Sequence, residues 1–290
     1  MSPMSPHGKV QALTEGEIPS IERVLRTSEY TYQRFTPDEL ELVLQRSPGV
    51  GLLNGQSLHG FLLPQLVNPP SAWIGGFGVS WTASTDYAQI FTLLLEQLST
   101  QLTARGVRYL YYSGNDFELD WLRPVLMKQS FLPYCHLYSY DKYEFSIPTE
   151  GNQEVVIRPV RIPEDIPALL AIEQACFEDL WRYNPTAFTD IAATHPYFVI
   201  AELNEHVVGY QFNALDSGYG YLVRIAVLPT VGGRGIGARL LAEAVRFFER
   251  AGVLRIMLNT QDDNWYAHRL YEWFQFMRLP QKGFVLRKPL

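Results

Sequence analysis

Seven residues in the last quarter of the chain, Gly232-Gly233-Arg234-Gly235-Ile236-Gly237-Ala238, carry the strongest chemical signal in the sequence. They lie between a strand pattern ending at Val227 and a helical pattern beginning near Gly237. The first turn of a helix leaves its N–H groups unpaired and carries partial positive charge. Glycines reach positive φ and have no Cβ to hold a ligand away. Together these features make an anion cradle suited to a pyrophosphate, with Pro229 fixing the exit from the strand. So many glycines exceed what a simple strand-to-helix turn requires.

Two common nucleotide readings fail on context. Gly233-x-Gly235-x-x-Ala238 formally matches the dinucleotide fingerprint. That fingerprint opens the first βαβ unit of a large parallel sheet, with an acidic residue about 20 positions on. Here the loop sits near the end of the chain, and the next strand ends at Leu258-Asn259-Thr260. A nicotinamide-dependent oxidoreductase is therefore the weaker reading. No Gly-Lys-Ser or Gly-Lys-Thr occurs, which excludes a kinase-type phosphate loop.

The elements that must position the loop follow the order βααβββαβαβ. Val155 to Val160 alternates like a strand, and Pro163-Glu164-Asp165 opens a helix through Ile166, Leu169, Leu170 and Ile172. A short helix is predicted near Pro185 to Ala193. Tyr197 to Glu202 and Val207 to Ala214 form a hairpin through Leu-Asn-Glu-His. A strand from Tyr219 to Val227 leads into the glycine loop. Arg239 to Arg250 has helical spacing and stops at Gly252. A strand at Leu254 to Leu258, a helix at Asn264 to Gln275 and a strand at Gly283 to Leu286 complete the order. Asn264, Ala267 and Tyr271 share one face of that last helix at i, i+3 and i+7. Tyr266, Leu270, Trp273 and Met277 fall on another face, expected in the core, and His268 is expected at the surface.

The first half carries a weaker copy of this order. Leu-Thr-Ala-Arg-Gly106-Val-Arg-Tyr-Leu-Tyr-Tyr resembles Phe-Glu-Arg-Ala-Gly252-Val-Leu-Arg-Ile-Met-Leu, and each leads through a helix to a phenylalanine, Phe131 and Phe276. Thr85 to Leu102 stands where the long helix belongs, after a strand at Ala72 to Trp81. No glycine cluster precedes that helix, Asp86 stands in its place, and Leu126 falls opposite Tyr271. The first copy is therefore expected to be non-catalytic, with Trp73, Phe77, Trp81, Tyr111, Tyr112 and Trp121 in its core. The polar stretch 147–154, with Pro148 and Gly151, marks a boundary between domains at 10–148 and 154–290. Residues 1–8, with two Ser-Pro pairs, form a tail.

The chain has 290 residues, 47% hydrophobic and 19% charged, with a net charge of −6. Its mean hydropathy is −0.07 and its isoelectric point about 5.6. Such an acidic chain is not built for nucleic acid as an obligate partner. No apolar run reaches the roughly 18 residues of a membrane span, and the N-terminus has neither an export nor an import pattern, so a cytoplasmic, non-membrane protein is expected. Only Cys135 and Cys176 occur, which excludes disulfide scaffolds and four-cysteine zinc sites, and no metal site is expected.

Val227-Leu228-Pro229 followed by Gly233-Arg234-Gly235-Ile236-Gly237 resembles the acyl-CoA loop of the GNAT acetyltransferase superfamily. Asn264-Trp-Tyr-Ala267-His-Arg-Leu270-Tyr271, ending at Phe276, is similar to that family's second cofactor motif. Ile157-Arg158-Pro159-Val160 with Pro163-Glu164-Asp165-Ile166 is similar to its first strand and helix. The resemblance covers 155–290 through three ordered motifs, and 10–147 through pattern alone. It implies an α/β (α+β) fold of two tandem GNAT-like domains, each a mixed, mostly antiparallel sheet flanked by helices. Two departures stand out: Gly232 replaces the usual Arg or Gln, and Gln275-Phe276 replaces Gly-Phe.

The resemblance implies acetyl-CoA, or another acyl-CoA, as cofactor. It implies contacts from the backbone of Ile225, Ala226 and Val227, from Gly232 to Ala238, and from Asn264, Ala267 and Tyr271. It assigns Tyr271 as the acid that protonates the departing sulfur. Family members often carry a carboxylate base on the preceding strand, but Tyr219 to Val227 has none. Asp216, Glu202, Glu178 and Asp179 are the flanking candidates. A lysine-type amine of pKa about 10.4 is neutral in only about one molecule in 2,500 at pH 7, and an α-amino group of about 7.7–8.0 needs far less help. A low-pKa primary amine, on a small molecule or peptide, is the expected acceptor. Two alternatives remain: a non-catalytic acyl-CoA-binding regulator, and an amino-sugar acetyltransferase resembling mycothiol synthases.

Overall fold

The computed structural model describes residues 8–116 and 120–290, so the predicted tail lies outside it except for Gly8. The chain divides into two compact units. The first comprises described residues 8–114, 120–134 and 284–290, and the second 115–116 and 135–283. The strand elements in chain order are β1 (Lys9–Leu13), β2 (Thr31–Gln33), β3 (Gly49–Asn54), β4 (Ser57–Asn68), β5 (Ser71–Val79), β6 (Tyr109–Asn115), β7 (Leu132–Lys142), β8 (Val156–Pro159), β9 (Tyr197–Leu203), β10 (His206–Asp216), β11 (Tyr219–Val227), β12 (Arg255–Gln261) and β13 (Met277–Pro289). The helices are α1 (Ile18–Thr27), α2 (Leu40–Arg46), α3 (Tyr87–Thr103), α4 (Arg123–Lys128), α5 (Ile166–Cys176), α6 (Pro185–Thr194), α7 (Ile236–Arg250) and α8 (Trp265–Trp273). The polar stretch 143–155 connects β7 to β8.

In the first unit β1, β3, β4 and β5 are antiparallel neighbours. β6 joins β5 in parallel over three residues, Ser71–Trp73 against Tyr109–Tyr111. The core lies between this sheet and α3, whose Ile90, Phe91, Leu94, Leu98 and Leu102 recur at helical spacing. Of the predicted core aromatics, Trp73, Phe77, Tyr111 and Tyr112 are buried, and Trp121 packs partly buried against the same cluster. Trp81 is the exception, 71% exposed. It lies two residues past the end of β5 and opens a short 3₁₀ turn (Trp81–Asp86), so the strand alternation that would have pointed it inward no longer applies.

In the second unit the hairpin β9–β10 turns at Asn204 (φ 50°) and Glu205 (φ 63°). Two consecutive positive φ values are the signature of a type I′ turn, whose twist matches that of paired strands. The strands alternate as a two-faced sheet should. Phe198, Ile200, Tyr210 and Phe212 pack with α5 and α6 residues Leu169, Ile172, Phe188 and Ile191. Val199 and Ala201 meet α7 through Ile236 and Leu240. At Gly220 a Cβ would lie 2.3 Å from the Phe248 ring of α7, so helix and sheet come close only because that side chain is missing. α7 ends where Gly252 takes φ 68°.

Candidate active site

A cavity of about 720 Å³ opens in the second unit, walled by the end of β11, the loop after it, the start of α8 and the end of α5. From β11 come Ile225, Ala226 and Val227, and from the loop Gly232, Gly233, Gly235, Ile236 and Gly237. Asn264, Ala267 and Tyr271 face it from α8. The structure therefore brings eleven of the thirteen sequence-predicted residues to one cavity. Arg234 and Ala238 are not on its wall. The Arg234 side chain is half exposed beside Glu154 at 3.7 Å, and Ala238 is buried in the core beneath α7.

The loop has the geometry of an anion cradle. Gly233 and Gly235 take φ values of 73° and 75°, which L side chains adopt only under strain. Gly232 donates its N–H to the Pro229 carbonyl at 3.0 Å, and the next N–H along the chain to bond the main chain is that of Arg239, to the Gly235 carbonyl at 3.0 Å. The N–H groups from Gly233 to Ala238 have no acceptor among the described residues. They are the donors a bridging diphosphate needs, at the positive end of a 15-residue helix. A further glycine supports them. Gly151 has φ 67°, and a Cβ there would sit 2.2 Å from the Arg239 nitrogen. The close approach lets Asn152 donate from its main chain to the Gly235 carbonyl (3.1 Å) and from its side chain to the Arg234 carbonyl (3.0 Å). In sequence Gly151 reads only as a linker residue, because its partner is more than 80 positions away.

Beside the cradle the sheet splits. β11 pairs with β10 along its length, with one bulge: Phe212 faces Arg224 and Asn213 faces Leu222, so Val223 is the extra residue. β12 pairs with β11 in parallel, but only Tyr219–Tyr221 against Arg255–Met257. From Leu222 to Val227 that edge of β11 has no strand partner among the described residues, which leaves it open to pairing with an extended ligand. On the opposite wall the Cys176 thiol donates to the Val227 carbonyl at 3.2 Å. Burial pushes this thiol up to about 11, so it stays a neutral donor.

α8 presents its faces differently from the pattern expected of its residue types. Tyr266 is 91% exposed, and Trp273 and Met277 are also exposed; Leu270 is partly buried against the cavity. The predicted core face is thus an outer face. His268, expected at the surface, is buried, with Nδ1 at 2.8 Å from the Tyr140 hydroxyl and Nε2 at 3.3 Å from the Asp262 carbonyl. The helix packs through His268, Tyr271 and Phe274, the face that also carries Asn264 and Ala267. A large apolar residue is a poor guide when the helix is only nine residues long and one polar face must serve both core and cavity.

Asn264 caps this helix. Its side-chain oxygen accepts from the Ala267 N–H at 3.3 Å, and its Nδ2 donates to Thr260 Oγ1 at 3.1 Å. Tyr271 lines the cavity with its ring 5.8 Å from that of Tyr140 and 5.9 Å from that of Phe276. Burial raises its phenol well above the usual range, as do Tyr221 and Tyr140, against a downward pull from Arg224. The helix ends because Gln275 takes φ 61°, the left-handed position that glycine favours, and its Oε1 accepts from Ser146 at 2.7 Å.

None of the four candidate carboxylates lines the cavity. Asp216 is exposed and accepts from the Ser217 N–H; Glu202 pairs with Arg158 at 2.7 Å; Asp179 pairs with Arg182; Glu178 is exposed. Sequence reasoning passed over a different carboxylate, Glu173, which is 1% exposed on α5 beside Arg224 of β11. Its signal was present: a charged residue among Leu169, Ile172 and Cys176 at i, i+3, i+4 and i+7 occupies a core position.

Residues 166–276 match the family model described as the Acetyltransferase (GNAT) family. An uncharacterized N-acetyltransferase of Methanocaldococcus jannaschii is 30% identical over 110 residues, which are 37% of this chain and 69% of that protein. The chain belongs to the GNAT family of N-acetyltransferases. A tandem GNAT protein from the clavulanic acid biosynthesis pathway superposes with a TM-score of 0.71 at 10% identity, over 97% of this chain and 98% of that one. A GCN5-related N-acetyltransferase from Sphaerobacter thermophilus gives 0.63 at 16% identity, over 97% and 95% of the two chains. The fold is thus that of tandem GNAT proteins. No helix among the described residues is long and apolar enough to cross a membrane.

Proposed function

We propose that the second unit binds acetyl-CoA, or another acyl-CoA, and transfers the acyl group to a primary amine of a small molecule or peptide. One observation carries this reading. A single cavity joins unpaired N–H donors at a helix start, an unpartnered strand edge and a buried phenol. GNAT proteins generally use acetyl-CoA, which when bound supplies a thioester carbonyl activated for attack by an amine. In this chain the N–H groups from Gly233 to Ala238 would hold its two bridging phosphates. The β11 edge from Leu222 to Val227, with Ile225, Ala226 and Val227 nearest the loop, would align its extended arm beside Asn264 and Ala267. Gly232 contributes backbone alone, which suffices for a cradle made of main-chain donors.

Tyr271 keeps its proton through neutral pH, because burial disfavours the phenolate. As the C–N bond forms and the C–S bond breaks, it would donate that proton to the departing sulfur, and the proton shed by the attacking nitrogen, passed through solvent, would restore the phenol. Among the described residues no charged side chain lines the cavity, so none of their carboxylates is placed to act directly as base. An amine of low pKa needs little deprotonation, whereas a lysine-type amine faces about 4.6 kcal/mol at pH 7. The acceptor is accordingly a low-pKa primary amine. The same lack of a lining carboxylate favours one second reading, a protein that binds acyl-CoA without turning it over.

Tyr271→Phe separates the two readings. Release of free thiol from acetyl-CoA over a panel of primary amines, abolished in that variant while binding persists, supports the enzyme. Tight binding with no turnover of the unaltered protein contradicts it. For the first unit we infer a non-catalytic role, supported by the strand β2 that lies on the corresponding edge of its sheet.

A further inference from the structure

A buried ion pair in the second unit takes no part in the chemistry above. Arg224 Nη1 donates to Glu173 Oε1 at 3.4 Å, and Nη2 donates to the Trp181 carbonyl at 2.8 Å. The guanidinium carbon lies 4.1 Å from the Phe177 ring centroid and 4.3 Å from that of Tyr183. Glu173 completes the arrangement: Oε2 accepts the Tyr183 N–H at 2.6 Å, and Oε1 also accepts the Tyr210 hydroxyl. The segment 177–183 between α5 and α6 is therefore tied to β11 at Phe177, Trp181 and Tyr183. Arg182 braces it from within, donating to the Phe177 carbonyl at 2.7 Å.

A buried pair of this kind is a poor source of stability, since desolvation offsets much of its attraction and apolar side chains of similar size pack as well. What it contributes is geometry. A planar guanidinium held between two rings, with both terminal nitrogens engaged, permits one arrangement of the groups around it. Some of those groups reach the cavity. Phe177 and Cys176 form its wall, Ile225 follows Arg224 on β11, and the Arg224 charge is felt at the Tyr271 phenol.

We propose that Glu173 and Arg224 are positioning residues for the acceptor, fixing segment 177–183 so that Phe177, its residue on the cavity wall, is the surface against which the amine is oriented. This rests on the acyl-transfer reading of the same cavity. The test uses the full chain, acetyl-CoA and the best acceptor from a primary-amine panel. Arg224→Gln alone leaves Glu173 buried without its cation and risks misfolding, so the informative variant is Glu173→Gln with Arg224→Gln, alongside Arg224→Lys. For the double variant the amine KM rises about tenfold or more, with a smaller change in kcat, as expected when a surface that binds ground state and transition state alike is lost. The acetyl-CoA Kd, measured by calorimetry, stays within about twofold, and Arg224→Lys falls between the two. A merely structural pair would weaken cofactor binding and amine use together, and that result overturns the proposal, as does an unchanged amine KM. A wild-type chain that binds acetyl-CoA yet acetylates no amine overturns the transfer reading first, and the positioning role with it.

Discussion

The two units share one irregularity and treat it in opposite ways. In each, a parallel pair of central strands is joined over three residues only, Ser71–Trp73 with Tyr109–Tyr111 and Tyr219–Tyr221 with Arg255–Met257. In the second unit the edge beyond, Leu222 to Val227, has no strand partner among the described residues, and its last part, Ile225 to Val227, lines the cavity. In the first unit β2 takes that edge, with Thr31, Tyr32 and Gln33 against Gly78, Phe77 and Gly76. The Tyr32 hydroxyl then reaches the Ser113 carbonyl of β6 at 3.0 Å, so one short strand bridges both sides of the split. The entry to the following helix differs as well. α7 starts from a glycine in the left-handed region, whereas α3 follows Trp81–Asp86, with Asp86 at the cap. A shared fold thus supplies a slot, and local sequence decides whether a ligand or the protein's own backbone fills it.

The largest effect that would sharpen this contrast is the loss of the proposed proton donor. Tyr271→Phe is expected to lower kcat by about 10²- to 10⁴-fold with little change in the acetyl-CoA Kd, the range for removing a general acid. A kcat within threefold of wild type would remove the chemical distinction between the units.

Next comes the cradle. Gly235→Val forces a β-branched residue into φ 75°, at about 1–2 kcal/mol or more, and should weaken acetyl-CoA binding about five- to thirtyfold. A control at a positive-φ glycine of the first unit, Gly106→Ala at φ 83°, should lower thermal stability by a similar energy and leave that Kd alone. Equal effects on binding from both would mean the cofactor does not distinguish the units.

Occupancy of the first slot predicts a stoichiometry. Calorimetry should give one acetyl-CoA per chain, and Tyr32→Phe, which removes the bond to Ser113, should cost about 1 kcal/mol of stability without adding a second site. Two molecules bound per chain would contradict the inference that β2 closes that edge.

The smallest effect concerns pH. Because the Tyr271 pKa is raised, its proton is retained to higher pH than in a free phenol, and the acid form persists beyond about pH 10. The kcat profile at saturating amine should therefore show no alkaline fall below about pH 10. A fall near pH 8–9 would assign the acid role to another group.

What the sequence made legible was local. The glycine cluster, the spacing of α7 and the i, i+3, i+7 set on α8 are each written within a few turns of chain, and all three meet at the cavity. Features built by distant contacts were not legible. Gly151 meets the start of α7, His268 finds Tyr140, and Glu173 finds Arg224, each across 50 or more positions; only the burial of Glu173 is announced locally, by its place in the apolar spacing of α5, and its partner is not. β2 is three residues long, too short for an alternation to be seen, and its importance lies in which edge it takes. The outer face of α8 misled because Trp, Tyr and Met signal burial on average, whereas here the buried face is set by the cavity it must line.

The most direct measurement is a crystal structure of the full chain soaked with acetyl-CoA. The two bridging phosphates are predicted within hydrogen-bonding distance of the N–H groups between Gly233 and Ala238, with the thioester sulfur beside the Tyr271 hydroxyl. Density for the cofactor against β5 of the first unit, or phosphates away from the start of α7, would contradict it.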